Sequence, residues 1–153
     1  MVLGVGNTAG LRVECKFQSM PHQPIEEMDL FLLYESVTDW VWEVVDTWKP
    51  KALDTIGKQM IRAMDSVNAN LVEGDGRYTL PDSIHFFIIA RASARESRLW
   101  INRAIRRKLV PESEGLKAIA DLETATKKLN QLISYRRSAK FAKEERVAYP
   151  AEN

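Results

Sequence analysis

Apolar residues recur at spacings of three and four over most of the chain, and no segment sustains the alternation of a strand. This pattern predicts four amphipathic helices, at residues 29–48, 51–73, 80–109 and 111–138. Pro50 and Pro111 stand in connections so short that consecutive helices must run antiparallel. The predicted fold is therefore all-α, an antiparallel up-down-up-down four-helix bundle.

The chain divides into three regions by composition. Residues 1–24 contain scattered glycines and prolines and are predicted to form an irregular N-terminal arm. Residues 25–138 hold the helical pattern and form the bundle. Residues 139–153 are predicted to be a fraying C-terminal tail.

Composition limits the class of protein. The 153 residues suffice for one domain, and no apolar run is long enough to span a membrane. The first twenty residues lack the basic and apolar regions of a secretory signal, and the single cysteine, Cys15, has no partner for an internal disulfide. A cytoplasmic protein is expected.

Residues typical of catalysis are sparse. The two histidines, His22 and His85, have no helix-spaced carboxylate or second histidine that would complete a metal site. No phosphate-binding loop, nucleophile elbow or zinc signature occurs. We expect a non-enzymatic protein with no cofactor and no metal.

The net charge of +1 conceals a strong asymmetry along the chain. Residues 25–50 contain seven acidic residues against Lys49, whereas residues 77–110 contain eight basic residues against Asp82 and Glu96. The first predicted helix is thus acidic and the third is basic.

The basic helix offers candidate RNA-binding residues, because guanidinium groups present paired donors to phosphate. They are Arg95, Arg98, Arg103, Arg106, Arg107 and Lys108. The alternative is that these cations pair with the acidic first helix, within one subunit or between subunits, and the sequence favours neither interpretation. On the first helix, Phe31 and Trp42 project away from the core stripe and are candidates for an oligomer or partner interface.

A polar motif interrupts the apolar pattern. It reads Asn70-x-x-Glu73-Gly74-x-Gly76-Arg77, followed by Ala90-Arg91-x-Ser93-x-x-Glu96. We predict a structural polar cluster of Asn70, Glu73, Arg77, Arg91 and Glu96, with Arg91 bonded to Glu73 or Glu96 inside the bundle. The motif resembles the four-helix-bundle family of proteins from intervening sequences in 23S ribosomal RNA genes, over residues 29–138.

The resemblance implies a non-enzymatic bundle that assembles into rings, commonly homopentamers. A similar group comprises the accessory variability proteins of diversity-generating retroelements, which bind a reverse transcriptase and structured RNA. Two functions are consistent with the sequence. One is a ring-forming RNA-binding accessory protein, which has a reverse transcriptase as a candidate partner. The other is a homo-oligomeric protein–protein scaffold without nucleic-acid binding.

Overall fold

The structure is a computed structural model that describes the backbone of residues 23–148 and the side chains of residues 23–139. Over that range it confirms the all-α up-down-up-down four-helix bundle. The helices are α1 (Asp29–Asp46), α2 (residues 50–75), α3 (Leu80–Arg106) and α4 (Glu112–Ala148). The 3₁₀ turn Ile25–Glu27 precedes α1.

The helix ends differ from the predicted ones by a few residues except at the C-terminus. There α4 continues past Ser138, the predicted end of the helix, and remains helical to Ala148, within the predicted tail 139–153. The residues from Ala139 onward keep good helix formers, with alanines, lysines and glutamates and no glycine or proline before Pro150. The arm predicted at residues 1–24, with Cys15 and His22, lies almost wholly outside the described residues.

Helix α2 changes its winding near its start. It begins with the α-turn Pro50–Ala52, passes through the π-turn Leu53–Gly57, and continues as the α-helix Lys58–Asp75. At Gly57 the helix lies so close to α1 that a Cβ atom would stand 2.7 Å from Val45 Cγ1. The absence of a side chain at Gly57 permits this approach. The π-turn lies near the end of the bundle where α1 connects to α2.

The packing order places α1 and α3 on opposite corners. Helix α1 packs against α2 and α4, and α3 packs against the same two helices, but α1 and α3 make no contact within the described residues. A square arrangement of antiparallel neighbours produces this diagonal. The acidic helix and the basic helix are therefore separated by the width of the core.

The core follows the predicted stripes with local corrections. Met60, Met64 and Leu71 of α2 and Ile101 of α3 are fully buried, as their spacing predicts. At the start of α3, however, Phe87 is buried, whereas Phe86, which stands four residues before Ala90 on the apolar spacing, is only partly covered. Leu116 stands three residues before Ile119 on the apolar spacing of α4, but it is 52% exposed, and α4 instead buries Gly115 and Ala118 at its start.

Tyr34 is a buried polar residue that the stripe of α1 did not predict. Its ring is fully buried, and its hydroxyl lies 2.9 Å from Thr126 Oγ1 on α4. The Thr126 hydroxyl donates its own proton to the carbonyl of Leu122, so the Tyr34 O–H is the donor to Thr126. Burial, which disfavours the phenolate, raises the pKa of Tyr34 to about 12.

Candidate nucleic-acid interface and a buried polar clamp

The basic residues of α3 border a groove between α3 and α4. Arg91, Arg95 and Arg98 line it from α3, and Lys127 lines it from α4. The groove has a volume of 730 Å³ and holds one carboxylate, that of Glu123. Four cations against one anion give this side of the molecule a positive potential.

The six predicted RNA-binding residues differ in what they already contact. Arg98 Nη2 lies 3.1 Å from Glu123 Oε1, and the Arg103 guanidinium lies over the Trp100 ring at 4.7 Å from its centroid. The remaining four are Arg95, Arg106, Arg107 and Lys108. They are exposed, and no carboxylate among the described side chains lies within ion-pair distance of them.

The diagonal packing excludes one alternative that the sequence left open, the pairing of α3 cations with α1 acids within one subunit. Because α1 and α3 do not touch within the described range, the acids of α1 do not neutralise the arginines of α3 inside one subunit. Instead, Asp39 and Glu43 of α1 border a separate groove between α1 and α4, together with Glu114 and Asp121. The molecule therefore carries an acidic groove and a basic groove, one on each side of α4.

The predicted polar cluster does not form as one unit. Arg77 forms an ion pair with Glu73 one turn before it, and both side chains are about half exposed. Glu96 Oε1 accepts a hydrogen bond from Trp100 Nε1 at 3.2 Å. Glu73 is therefore a surface residue, and although it pairs with Arg77 of the predicted cluster, this pair does not lie inside the bundle.

Arg91 and Asn70 also have partners other than the predicted ones. Arg91 Nη1 donates to Asn130 Oδ1 of α4 at 2.9 Å, so it bonds neither Glu73 nor Glu96. Asn70 donates to the carbonyl of Ser66 at 2.7 Å, and the Ser66 hydroxyl lies 3.0 Å from that of Ser93. The motif thus supplies several separate links, among them Ser66 to Ser93 between α2 and α3.

The buried charge of the motif is Asp75, which stands between the two glycines. Asp75 Oδ1 lies 2.7 Å from Arg136 Nη2, and the two side chains are only 9% and 14% exposed. Asp75 Oδ2 accepts the backbone N–H of Ile25 at 3.1 Å. Three segments that are distant in sequence, the turn before α1, the end of α2 and the late part of α4, are thereby tied together.

Two residues of α3 complete this clamp around Arg136. Its guanidinium donates to the hydroxyl of the buried Ser83 and lies over the Phe87 ring, 4.8 Å from the centroid. Gly74 lets the end of α2 approach that ring, because a Cβ atom there would stand 2.7 Å from Phe87 Cδ1. Asp75, Arg136, Ser83 and Ile25 are hereafter called the Asp75 clamp.

Sequence reasoning did not identify the Asp75 clamp. Position 75 is a variable position of the motif, and an arginine near a helix C-terminus, such as Arg136, already has a favourable interaction with the helix dipole, so neither residue stands out in the sequence. The available signal was an acid at the end of one amphipathic helix and an arginine near the predicted end of another. Up-down topology brings those two ends together.

Of the two aromatic residues predicted to form an interface, Trp42 is exposed and Phe31 is not. Trp42 is 63% exposed and borders a small groove with Ile61 and Asp65 of α2. Phe31, in contrast, is partly buried and packs against the core. Trp42 alone is therefore an exposed aromatic of α1.

The fold and its surface charges define a small four-helix bundle with one basic face that the acids of α1 do not reach within the described residues. A family model described as 23S rRNA-intervening sequence protein matches residues 26–131. This span is more than half of the chain, and the protein belongs to that family.

A solved structure supports the fold. It is a crystal structure of a protein with unknown function from the S23 ribosomal protein family of Bacteroides thetaiotaomicron. It is similar to this chain with a TM-score of 0.61 and 18% sequence identity, covering 68% of this chain and 97% of that chain. At this identity the likeness shows a common fold alone. None of the curated proteins compared matches this chain.

The described residues also lack the features of a membrane span and of a metal site. In residues 23–148, no helix has both the length and the apolar character needed to cross a lipid bilayer. Within the same part of the chain, no group of three or more histidine, cysteine, aspartate or glutamate side chains is arranged to hold a metal ion.

Proposed function

We propose that this protein is a non-enzymatic RNA-binding accessory protein that uses the basic face of α3. One observation carries the proposal: the cations of α3 are exposed on the corner of the bundle opposite the acidic helix. Among the described side chains, the one ion pair of these cations is that of Arg98 with Glu123. No described carboxylate pairs with the other cations, which leaves them available to an external anion.

The dimensions of the basic row suit a nucleic-acid backbone. Arg95 and Arg106 are separated by eleven residues of helix, which corresponds to about 16 Å of axial rise. A nucleic-acid strand carries a phosphate roughly every 3.4 Å of duplex axis, so the row can meet several phosphates at once. The pair of Arg98 with Glu123 is roughly half exposed, and surface pairs contribute only about 0–1 kcal/mol, so a phosphate can replace the carboxylate.

Family membership supports assembly as part of this proposal. The family resemblance implies rings, commonly homopentamers, and a ring would repeat the basic face around an axis and multiply weak phosphate contacts. A reverse transcriptase remains a candidate protein partner, and Trp42 is the exposed aromatic of α1 available to it.

Electrophoretic and filter-binding assays with a structured RNA test the proposal. The triple variant Arg95→Ala, Arg98→Ala, Arg106→Ala should weaken binding by at least about tenfold, since each charged contact contributes on the order of 1 kcal/mol or more. The matched control is Lys58→Ala, Arg62→Ala, Lys117→Ala, which removes the same charge from α2 and α4. Equal loss in both variants, or no measurable binding by the wild type at low salt, would overturn the proposal.

A second candidate function is a homo-oligomeric scaffold, favoured by the complementary grooves on the two sides of α4. In a head-to-tail ring, the acidic groove of one subunit would face the basic groove of the next. Light scattering distinguishes this candidate. Arg95→Glu with Arg98→Glu should dissociate such an oligomer, and adding Asp39→Lys with Glu43→Lys should restore it.

A further inference from the structure

The end of the bundle opposite the Asp75 clamp contains an open cleft. It lies where the connection from α1 to α2 meets the connection from α3 to α4, and its volume is 830 Å³. That volume is within the range of small-molecule sites. Ten residues line it: Thr47, Trp48, Lys49, Lys51, Ala52, Thr55, Ile56, Arg107, Lys108 and Leu109.

The charged residues of this cleft have one sign. Lys49 and Lys51 come from the start of α2, and Arg107 and Lys108 come from the end of α3. No acidic residue lines the cleft, and none of the four cations forms an ion pair with a described side chain. Four cations gathered from two separate connections repel one another, and an anion bound between them would relieve that repulsion.

Lys108 occupies a backbone conformation that glycine adopts more readily. Its φ angle is 56°, in the left-handed region. The N–H of Lys108 bonds to the carbonyl of Ile105 and that of Leu109 to the carbonyl of Ala104, both at 2.9 Å. These bonds form a Schellman cap, where glycine is usual at the left-handed position. A lysine there strains the backbone and adds an ammonium group to the cleft.

The remaining lining is mostly apolar, apart from Thr47 and Thr55, and includes one unsatisfied donor. The cleft is lined by the indole of Trp48, by Ile56 from the π-turn and by Leu109. The indole N–H of Trp48 is buried and has no hydrogen-bond partner among the described residues. Buried donors are rarely left unpaired, and single π-turns occur frequently at functional sites.

We propose that this cleft binds a nucleotide. Its phosphates lie among Lys49, Lys51, Arg107 and Lys108, and its base lies against the Trp48 ring. Cations alone would suit any anion, but the aromatic and aliphatic lining adds an apolar surface that inorganic phosphate does not use. The site goes beyond the proposed RNA function and does not depend on it. It shares Arg107 and Lys108 with the predicted RNA-binding residues, but Lys49, Lys51 and Trp48 belong to the cleft alone.

Isothermal titration calorimetry at low salt tests this proposal with ATP, tripolyphosphate and adenosine as probes. ATP should bind most tightly, and Lys49→Ala with Lys51→Ala should weaken it at least about tenfold, as expected for losing charged contacts. The control Lys58→Ala with Arg62→Ala should leave ATP binding within about twofold, since those side chains lie outside the cleft. The triple variant of the α3 row should also retain ATP binding, which separates this site from the RNA interface.

The variant Lys108→Gly gives a readout that loss of folding cannot imitate. Removing the left-handed strain should raise the melting temperature, while ATP binding becomes weaker. Absence of ATP binding by the wild type would overturn the proposal, as would equal ATP affinity in the Lys49/Lys51 variant. Tripolyphosphate binding as tightly as ATP would overturn the nucleotide assignment, because the apolar lining would then contribute nothing.

Discussion

The two ends of the bundle treat their charges in opposite ways. At one end, Asp75 and Arg136 are buried against each other, and they also contact Ser83, Phe87 and the N–H of Ile25. At the other end, four cations border an open cleft without a carboxylate among its lining residues. The basic row of α3 runs along the surface toward that second end.

The difference teaches which charges hold the fold together and which are available to a ligand. A buried pair has lost its water, so either member becomes costly if the other is removed. Exposed cations keep their water and contribute little to folding, but they create a local field that attracts anions. Conformational stability should therefore depend on the Asp75 clamp, and anion binding on α3 and the opposite end.

The largest expected effect comes from breaking the Asp75 clamp. Arg136→Ala removes the guanidinium that contacts the buried Asp75 carboxylate, the Ser83 hydroxyl and the Phe87 ring, and it should reduce the free energy of unfolding by about 3–5 kcal/mol. Urea-induced unfolding followed by circular dichroism measures the change. The neighbouring Arg137→Ala is the matched control, since Arg137 is exposed and no described carboxylate pairs with it. A loss of less than about 1 kcal/mol for Arg136→Ala would show that the clamp does not hold that end.

Two glycines of the motif should respond in opposite directions to alanine. Gly74→Ala places a Cβ atom 2.7 Å from the Phe87 ring and should destabilise by about 1–3 kcal/mol through overpacking. Gly76→Ala meets only ordinary contacts, the nearest atom being the Val72 carbonyl oxygen at 3.5 Å. It should stabilise by roughly 0.4–1 kcal/mol, because alanine reduces the freedom of the unfolded chain. Equal effects of the two changes in thermal unfolding would contradict the placement of α2 against Phe87.

Tyr34 provides a pH-dependent test of the interior between the two ends. Its pKa rises from 10.0 in the unfolded chain to about 12 in the folded protein, so the stability that depends on the neutral phenol is complete below pH 10. That contribution is lost as the pH rises toward 12, and about 1.4 kcal/mol of it should be gone at pH 11. Denaturant titrations between pH 9 and 11 should show this decline in the wild type, and Tyr34→Phe should lack the part due to Tyr34. An identical decline in both proteins would contradict the assignment.

Lys108→Gly should have a smaller effect of the opposite sign at the cationic end. Relief of the left-handed backbone should stabilise the protein by about 1 kcal/mol. Differential scanning calorimetry measures the change, and Arg107→Gly is the control because the φ angle of Arg107 is −89°. Destabilisation by Lys108→Gly would mean that the lysine side chain contributes to folding and is not simply a strained cation.

The smallest expected effect is at Glu73. Because its side chain is half exposed and pairs only with Arg77 one turn away, Glu73→Ala should change stability by less than about 0.5 kcal/mol. Chemical denaturation of this variant beside Arg136→Ala compares the residue that the sequence favoured with the one that the structure identifies. A loss of several kcal/mol for Glu73→Ala would instead indicate that Glu73 belongs to a polar cluster inside the bundle.

Periodicity sufficed for the fold but not for the polar contacts. The spacing of Met60, Met64 and Leu71 fixes which side of α2 is buried, since a helix presents every third or fourth residue on one face. It does not fix which helices are diagonal, and that determines whether α1 can neutralise α3. The Asp75 clamp joins residues from three distant segments, so no local pattern identifies Asp75 and Arg136 as partners.

The candidate sites show the same division between local and tertiary information. The basic row was predictable because Arg95, Arg98 and Arg106 lie within one helix, where spacing defines the face. The cleft near Lys108 was not, because it needs two connections to meet. The left-handed conformation of Lys108 also gave no signal, since turn chemistry would predict glycine there.

The dependence of RNA binding on salt tests the proposed role of α3 most directly. Dissociation constants for one structured RNA should rise steeply with salt, because each phosphate that a protein cation contacts on binding releases condensed counterions. The variant with Arg95, Arg98 and Arg106 changed to Ala should lower the magnitude of the log–log slope by roughly 2–3 relative to the wild type. A wild-type slope near zero, or a slope that the triple variant leaves unchanged, would contradict phosphate binding by the basic face.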